Sequence, residues 1–151
     1  MFLGEAPSYQ EDEQGRPFVG KTGVEFNELY LPVAGLYRGD VVVYNAVCCS
    51  RIDYSNPSPE DAESCSSMFL GPLLKEVNPT ILVPMGQVAC SLFPKIKLPL
   101  QHGIPVVDSW GAWSGVVFPM YHPSAGMRST GYMIALMSDF DALGKLVKAV
   151  L

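Results

Sequence analysis

Short apolar runs that stop abruptly at small or polar residues recur along the chain. Met1-Phe-Leu3 ends at Gly4-Glu5, Val41 to Tyr44 ends at Asn45, Ile81-Leu-Val83 runs to Met85-Gly86, and Val116-Val-Phe118 leads to Tyr121-His122. Runs this short and rich in branched residues are the mark of strands buried on both faces. Between them lie helix-like stretches over 22–35, 59–77, 86–93 and 132–151. Within the first, Val24, Leu29 and Leu31 are expected along one helical face. The second opens on Ser58-Pro59-Glu60-Asp61, a cap followed by proline and acids in the first turn. Strands alternating with helices predict an α/β fold, a three-layer αβα sandwich around a mostly parallel sheet of about four strands. Trp110 to Gly115 lies between two extended runs and predicts a hairpin turn, its tryptophans packing over a sheet edge.

That architecture has a chemical consequence. In open α/β sheets, ligands bind beyond the carboxyl ends of the strands, near the point where strand order reverses. Glu5, Asn45, Gly86 and His122 each follow a strand, so the rule gathers them at one rim. The loop that opens there, Glu5 to Gly20, adds a run of carboxylates and an Arg16-Pro17-Phe18 segment between glycines.

Length and composition narrow the remaining possibilities. A chain of 151 residues fits one domain, 1–151, and no repeat or linker interrupts it. No apolar run approaches a membrane span and no signal segment opens the chain, so a cytoplasmic location with no membrane partner is expected. Cys48, Cys49, Cys65 and Cys90 form neither a CxxC pair nor a disulfide framework. Net charge is −5, which excludes a protein that grips phosphate broadly through counterion release. Any nucleic-acid contact is therefore local, with Arg16, Lys21, Arg51 and Arg128 as the candidate cations.

Dinucleotide and P-loop glycine patterns are absent, as is the G-x-S-x-G elbow that a serine hydrolase built on Ser8 and His122 would need. An amide beside an aromatic is the pairing that holds a planar base, one reading its edge and the other stacking on its face. By residue type alone, His122 equally suits a buried structural histidine and Asn45 a strand-ending turn residue.

Four motifs in order, GEAPSYQEDEQGRPFVGKTG, VYNAVCC, PTILVPMGQVA and FPMYHPSAGMR with its HPS core, resemble the family 4, iron–sulfur type uracil-DNA glycosylases over nearly all of residues 2–128. The resemblance implies a DNA glycosylase that flips a base out of DNA and hydrolyses its N-glycosidic bond, releasing uracil and leaving an abasic site. It implies that Glu5 positions or activates water and that His122 donates to uracil O2. Phe18 would stack on the flipped base, Asn45 would read its edge, and Ala6 and Glu11 would lie against it, Glu11 on the C5 side. Ser124, Met127 and Arg128 fall in the loop, 124–129, that wedges into DNA. Cys49 and Cys65 match two of four ligands of a [4Fe–4S] cluster; the other pair, placed ahead of the first strand in that family, has no counterpart here. A cluster would need two further cysteines from outside this chain, and otherwise no cofactor is expected. DNA, single- or double-stranded, is the expected partner of a monomer. Ser8, Cys48 and the small Ala125-Gly126 depart from the family pattern, which leaves two other readings open. One is a glycosylase for a modified pyrimidine, as in phage DNA; the other is a noncatalytic DNA- or protein-binding relative.

Overall fold

The computed structural model describes residues 1–151. Five strands form one sheet in the order β2-β1-β3-β5-β4: β1 Phe2–Gly4, β2 Val43–Asn45, β3 Ile81–Pro84, β4 Val106–Trp110 and β5 Trp113–Val117. β1, β2, β3 and β5 run parallel to one another, and β4 alone runs antiparallel, against β5. The sequence predicts about four strands; the fifth comes from the Trp110 hairpin. Its turn is only Gly111-Ala112, so both tryptophans lie within strands as a directly opposed pair. Trp113 is buried and donates its indole N–H to the Pro79 carbonyl at 3.0 Å.

Alternation along each strand divides the core into two layers, as a pleat with period two requires. Phe2, Ile81, Val83 and Phe118 face one way, into a cluster with Phe26, Tyr30, Leu31, Leu136, Phe140 and Leu143. Leu3, Leu82 and Val117 face the other way, against Ala62, Leu70, Leu74, Val88 and Phe93. The first layer is covered by α2 (Lys21–Glu25), α3 (Leu31–Val33) and the long α8 (Thr130–Val150); the second by α4 (Pro59–Val77) and α5 (Gln87–Cys90). This is the three-layer arrangement that the alternating pattern predicts.

Helix boundaries follow local chemistry. Ser58 caps α4, its Oγ accepting the Asp61 N–H at 3.1 Å, and Asn78 closes the helix in the left-handed conformation. Residues 22–35 deviate from an ideal helix, because Phe26–Tyr30 forms a π turn between α2 and α3. The widened turn rotates the following residues. Tyr30 and Leu31 therefore reach the core with Phe26, while Leu29, and Val24 ahead of the turn, both expected on the buried face, are exposed. Cys90 is buried, its thiol against the Pro84 carbonyl, as a small apolar residue would be.

Phe140 is fully buried and contacts the rings of Phe2, Phe26 and Tyr30. Phe140→Ala is expected to lower unfolding free energy by about 3–5 kcal/mol. Urea denaturation checks this: the midpoint should fall with the slope unchanged.

Candidate base-binding cleft

β1 lies between β2 and β3, so strand order reverses beside its carboxyl end. There the chain leaves β1 at Gly4-Glu5, β2 at Asn45, β3 toward Gly86, and β5 toward His122. Backbone bonds extend the sheet past the strands: the Val47 N–H meets the Glu5 carbonyl at 2.8 Å and the Gly86 N–H meets the Met120 carbonyl at 2.9 Å. The predicted rim is thus brought together. It surrounds a cleft of about 300 Å³ lined by Glu5, Ala6, Glu11, Phe18, Asn45, His122 and Ser124 among others.

Two glycines let these side chains converge. A Cβ on Gly4 would lie 2.6 Å from Asn45 Oδ1 and 2.8 Å from the Phe18 ring, so amide and aromatic meet across a backbone that carries nothing between them. Gly86 has φ +90°, and a Cβ there would collide with a Glu5 carboxylate oxygen and come within 3.1 Å of His122 Cβ. Acid and imidazole therefore share one notch.

The opening loop is more ordered than its glycines and prolines predict. Ser8 starts a short helix, α1 (Tyr9–Gln14), which Gly15 ends in the left-handed conformation. Glu11, inside α1, accepts the Ser8 N–H on Oε2 and the Phe18 N–H on Oε1, both at 2.7 Å. Phe18 itself has φ +58°, a conformation that costs a side-chain-bearing residue about 1–3 kcal/mol. Its ring is buried against Phe26 at 4.8 Å between centroids and lies 5.8 Å from the His122 ring. It is at once a core residue and a wall of the cleft.

His122 caps the N-terminus of α7 (Pro123–Arg128), so residues 124–128 are helical where the sequence predicts a loop. The Ser124 N–H donates to His122 Nδ1 at 3.2 Å, and Ser124 Oγ lies 2.8 Å from the same nitrogen. A backbone N–H can only donate, so Nδ1 is an acceptor and the proton of the neutral ring sits on Nε2. Burial lowers the imidazole to about 4; the Glu11 charge opposes this shift and the Arg128 charge assists it. The ring is therefore a neutral Nε2–H donor at physiological pH.

Burial also raises the Glu5 carboxyl above its ordinary value, while the Val88 N–H and Arg128 pull it back. The Asn45 side chain is buried at the cleft wall and has no hydrogen-bond partner within the protein, so the strand-ending role is not the one it plays. Ser124 orients His122. Met127 and Arg128 are exposed on α7, and Thr22 Oγ1 reaches the Met127 sulfur at 3.4 Å.

Residues 54–57 also line the cleft and carry no sequence signal beyond a polar turn. They are tied to α1 through Asp12, which accepts from Ser50 Oγ at 3.0 Å and from Tyr54 OH at 3.3 Å.

The two cysteines matched to cluster ligands do not form a metal site by themselves. Cys49 is exposed, and Cys65 Sγ accepts the Cys48 N–H at 3.2 Å. The Cys48 thiol bonds Tyr44 OH at 3.1 Å and is pushed up to about 11 by burial. No group of three or more His, Cys, Asp or Glu side chains is placed to hold a metal ion, whereas a [4Fe–4S] cluster needs four thiolates.

Residues 1–141 match the Uracil DNA glycosylase superfamily. The chain belongs to that superfamily. Its similarity to superfamily members named type-4 uracil-DNA glycosylase is 34% identity over 134 residues for that of Thermotoga maritima, covering 85% of this chain and 66% of the relative. For the protein of Saccharolobus solfataricus it is 32% over 146 residues, 93% of this chain and 67% of the relative. For that of Pyrobaculum aerophilum it is 45% over 147 residues, 93% and 72%. The chain thus spans about two thirds of the length of these superfamily relatives. No helix is long and apolar enough to cross a membrane.

The buried carboxyl gives a stability prediction. Because folding raises the pKa of Glu5, the native state holds its proton more tightly than the unfolded chain does. Its favourable contribution is complete below the ordinary value of 4.5 and is lost as pH rises through the raised one. Glu5→Gln should therefore melt at higher temperature than wild type at pH 7. The gain should vanish at pH 4, which melting curves at the two pH values will test.

Proposed function

We propose that this chain is a monofunctional DNA glycosylase that draws a uracil out of DNA into the cleft and hydrolyses its N-glycosidic bond, leaving an abasic site. The names of its relatives support the target base, and the observation that carries the mechanism is the neutral His122 with its proton on Nε2. As the bond between C1′ and N1 breaks, positive charge builds on the sugar and negative charge on the departing base. A fixed donor at O2 is then worth more in the transition state than in the ground state. Being neutral, His122 donates without itself losing a charge to solvent.

Phe18 covers one face of the base, and Asn45 accepts from N3–H and donates to O4. Cytosine presents the opposite pattern there, and a bidentate match of this kind discriminates by about 1–3 kcal/mol. Base stacking adds about 1–3 kcal/mol, enough to offset the few kcal/mol that extrusion costs. The Glu5 carboxylate holds the water that adds to C1′ and takes its proton, and Arg128 favours both that carboxylate and the anionic base. Met127 and Arg128, on the exposed face of α7, occupy the space the base vacates, with Ser124 at the DNA-facing end of that helix.

Oligonucleotides carrying one deoxyuridine test this through base release followed by alkaline strand cleavage. Wild type should release uracil, His122→Ala should be slower by about 10²–10³-fold, and Asn45→Ala should lose discrimination against cytosine. DNA binding that persists without release of any base would establish the noncatalytic reading instead.

The rate should climb with pH as Glu5 ionises, with a midpoint above 4.5, because His122 is already neutral over that range. Loss of this limb in Glu5→Gln, measured under single turnover, is the expected outcome.

A further inference from the structure

Two tyrosine rings stand at the lip of the cleft and take no part in the core. Tyr9, the first residue of α1, is 57% exposed, and Tyr54 is 44% exposed. Their centroids lie 5.8 Å apart with the planes at 79°, an edge-to-face pair. Tyr54 lines the cleft itself, and Tyr9 stands between Ser8 and Gln10, which line it too. The pair therefore continues the cleft wall outward to the surface.

This arrangement is held against local strain. Tyr54 has φ +53°, a left-handed backbone that a residue with a bulky side chain rarely adopts. Its hydroxyl donates to Asp12 Oδ2 at 3.3 Å, Ser50 Oγ donates to the same oxygen at 3.0 Å, and the Tyr54 N–H meets the Arg51 carbonyl at 2.9 Å. Tyr9 is tied down in turn, its hydroxyl donating to Glu13 at 3.1 Å. Core packing explains none of this ordering, since both rings stay open to water.

We propose that Tyr9 and Tyr54 form a stacking platform for one of the two nucleobases that flank the target in single-stranded DNA. This rests on the glycosylase reading of the cleft. A strand that delivers one base into the cleft carries the neighbouring nucleotides across its lip, and an exposed ring there gives an unpaired base a surface on which to stack. The surface fits a base and not a phosphate. Glu11, Asp12 and Glu13 share α1 with Tyr9 and repel a phosphate group, whereas stacking needs no cation. In a duplex the flanking base is paired and already sandwiched between its own neighbours, so the platform favours single strands, where extrusion of the target is also least costly.

Single-turnover uracil release, followed against enzyme concentration, yields a half-saturating concentration and a saturating rate for each substrate. On single-stranded oligonucleotides with one deoxyuridine, Tyr9→Ala and Tyr54→Ala should each raise the half-saturating concentration by about tenfold. Tyr9→Ala should keep the saturating rate within about threefold of wild type, the sign of lost binding and not of lost chemistry. Tyr9→Phe keeps the ring without the Glu13 bond and should match wild type. Replacing the flanking base on the 5′ or the 3′ side with a tetrahydrofuran abasic analogue should weaken wild type by a similar factor at one of the two positions and leave Tyr9→Ala unaffected there, the non-additivity that direct contact produces. Melting temperatures report folding; should Tyr54→Ala fail to fold, the two Tyr9 variants decide. Half-saturating concentrations that the folded alanine variants leave unchanged overturn the inference, as does a rise that is equal with and without the flanking bases or equal on a matched duplex. Uracil release by wild type then leaves the glycosylase reading intact. Release of no uracil by wild type overturns both.

Discussion

One carboxylate, that of Glu11, organises the cleft by holding the backbone amides of Ser8 and Phe18, ten positions apart along the loop. The Ser8 amide sits at the start of α1 and the Phe18 amide at the far end of the turn that follows. Phe18 adopts a left-handed backbone that its side chain disfavours by about 1–3 kcal/mol. A hydrogen bond to a charged acceptor contributes about 1.5–3 kcal/mol, so the bond on Oε1 is of the size needed to hold that conformation. With the backbone fixed, the ring is held against Phe26, with Asn45 across Gly4 from it. The aromatic wall of the cleft is thus an extension of the hydrophobic core, and its rigidity is that of the core.

The same economy of placement governs the polar side. His122 takes its tautomer from the helix it caps, since the Ser124 amide leaves Nδ1 no proton to carry. Glu5 sits across a notch that only a glycine leaves open. Both groups are desolvated, and the two shifts move in opposite directions along the pH scale, the imidazole downward and the carboxyl upward. Desolvation therefore draws together the pH ranges in which one is a neutral donor and the other an anion.

Much of this was legible in the chain, for reasons that differ by element. The buried strands announce themselves because both faces are covered, which removes the need for polar alternation, and α4 because Ser58, Pro59 and Asp61 satisfy its first turn. The rim residues followed from the strand-end rule together with the motifs. Leu29 is exposed because a π turn shifts the helical phase and leaves no mark in composition, and Val24, ahead of that turn, because Gly23 and Phe26 take the buried face there. The α1 helix was hidden by its own carboxylates, which resemble a solvated loop until one of them is seen to turn inward. Residues 54–57 could not be found at all, since their place at the cleft depends on Asp12, 42 positions from Tyr54. The sequence shows an extended run on each side of the hairpin without counting the first as a fifth strand, and it assigns the tryptophans to the turn rather than to its flanks.

The strand order has a consequence for how the chain reaches this state. β1 precedes both of its sheet neighbours in sequence, yet Phe2 pairs with Val43 on one side and Val83 on the other. During synthesis β1 must stay unpaired until partners some forty and eighty residues later have left the ribosome. Contacts of such separation are slow to close and leave apolar edges open in the meantime. Glu5 and Phe18 are made early and His122 late, so no nascent fragment carries the complete cleft. The protein acquires its chemistry only when the last strand-to-helix passage is in place.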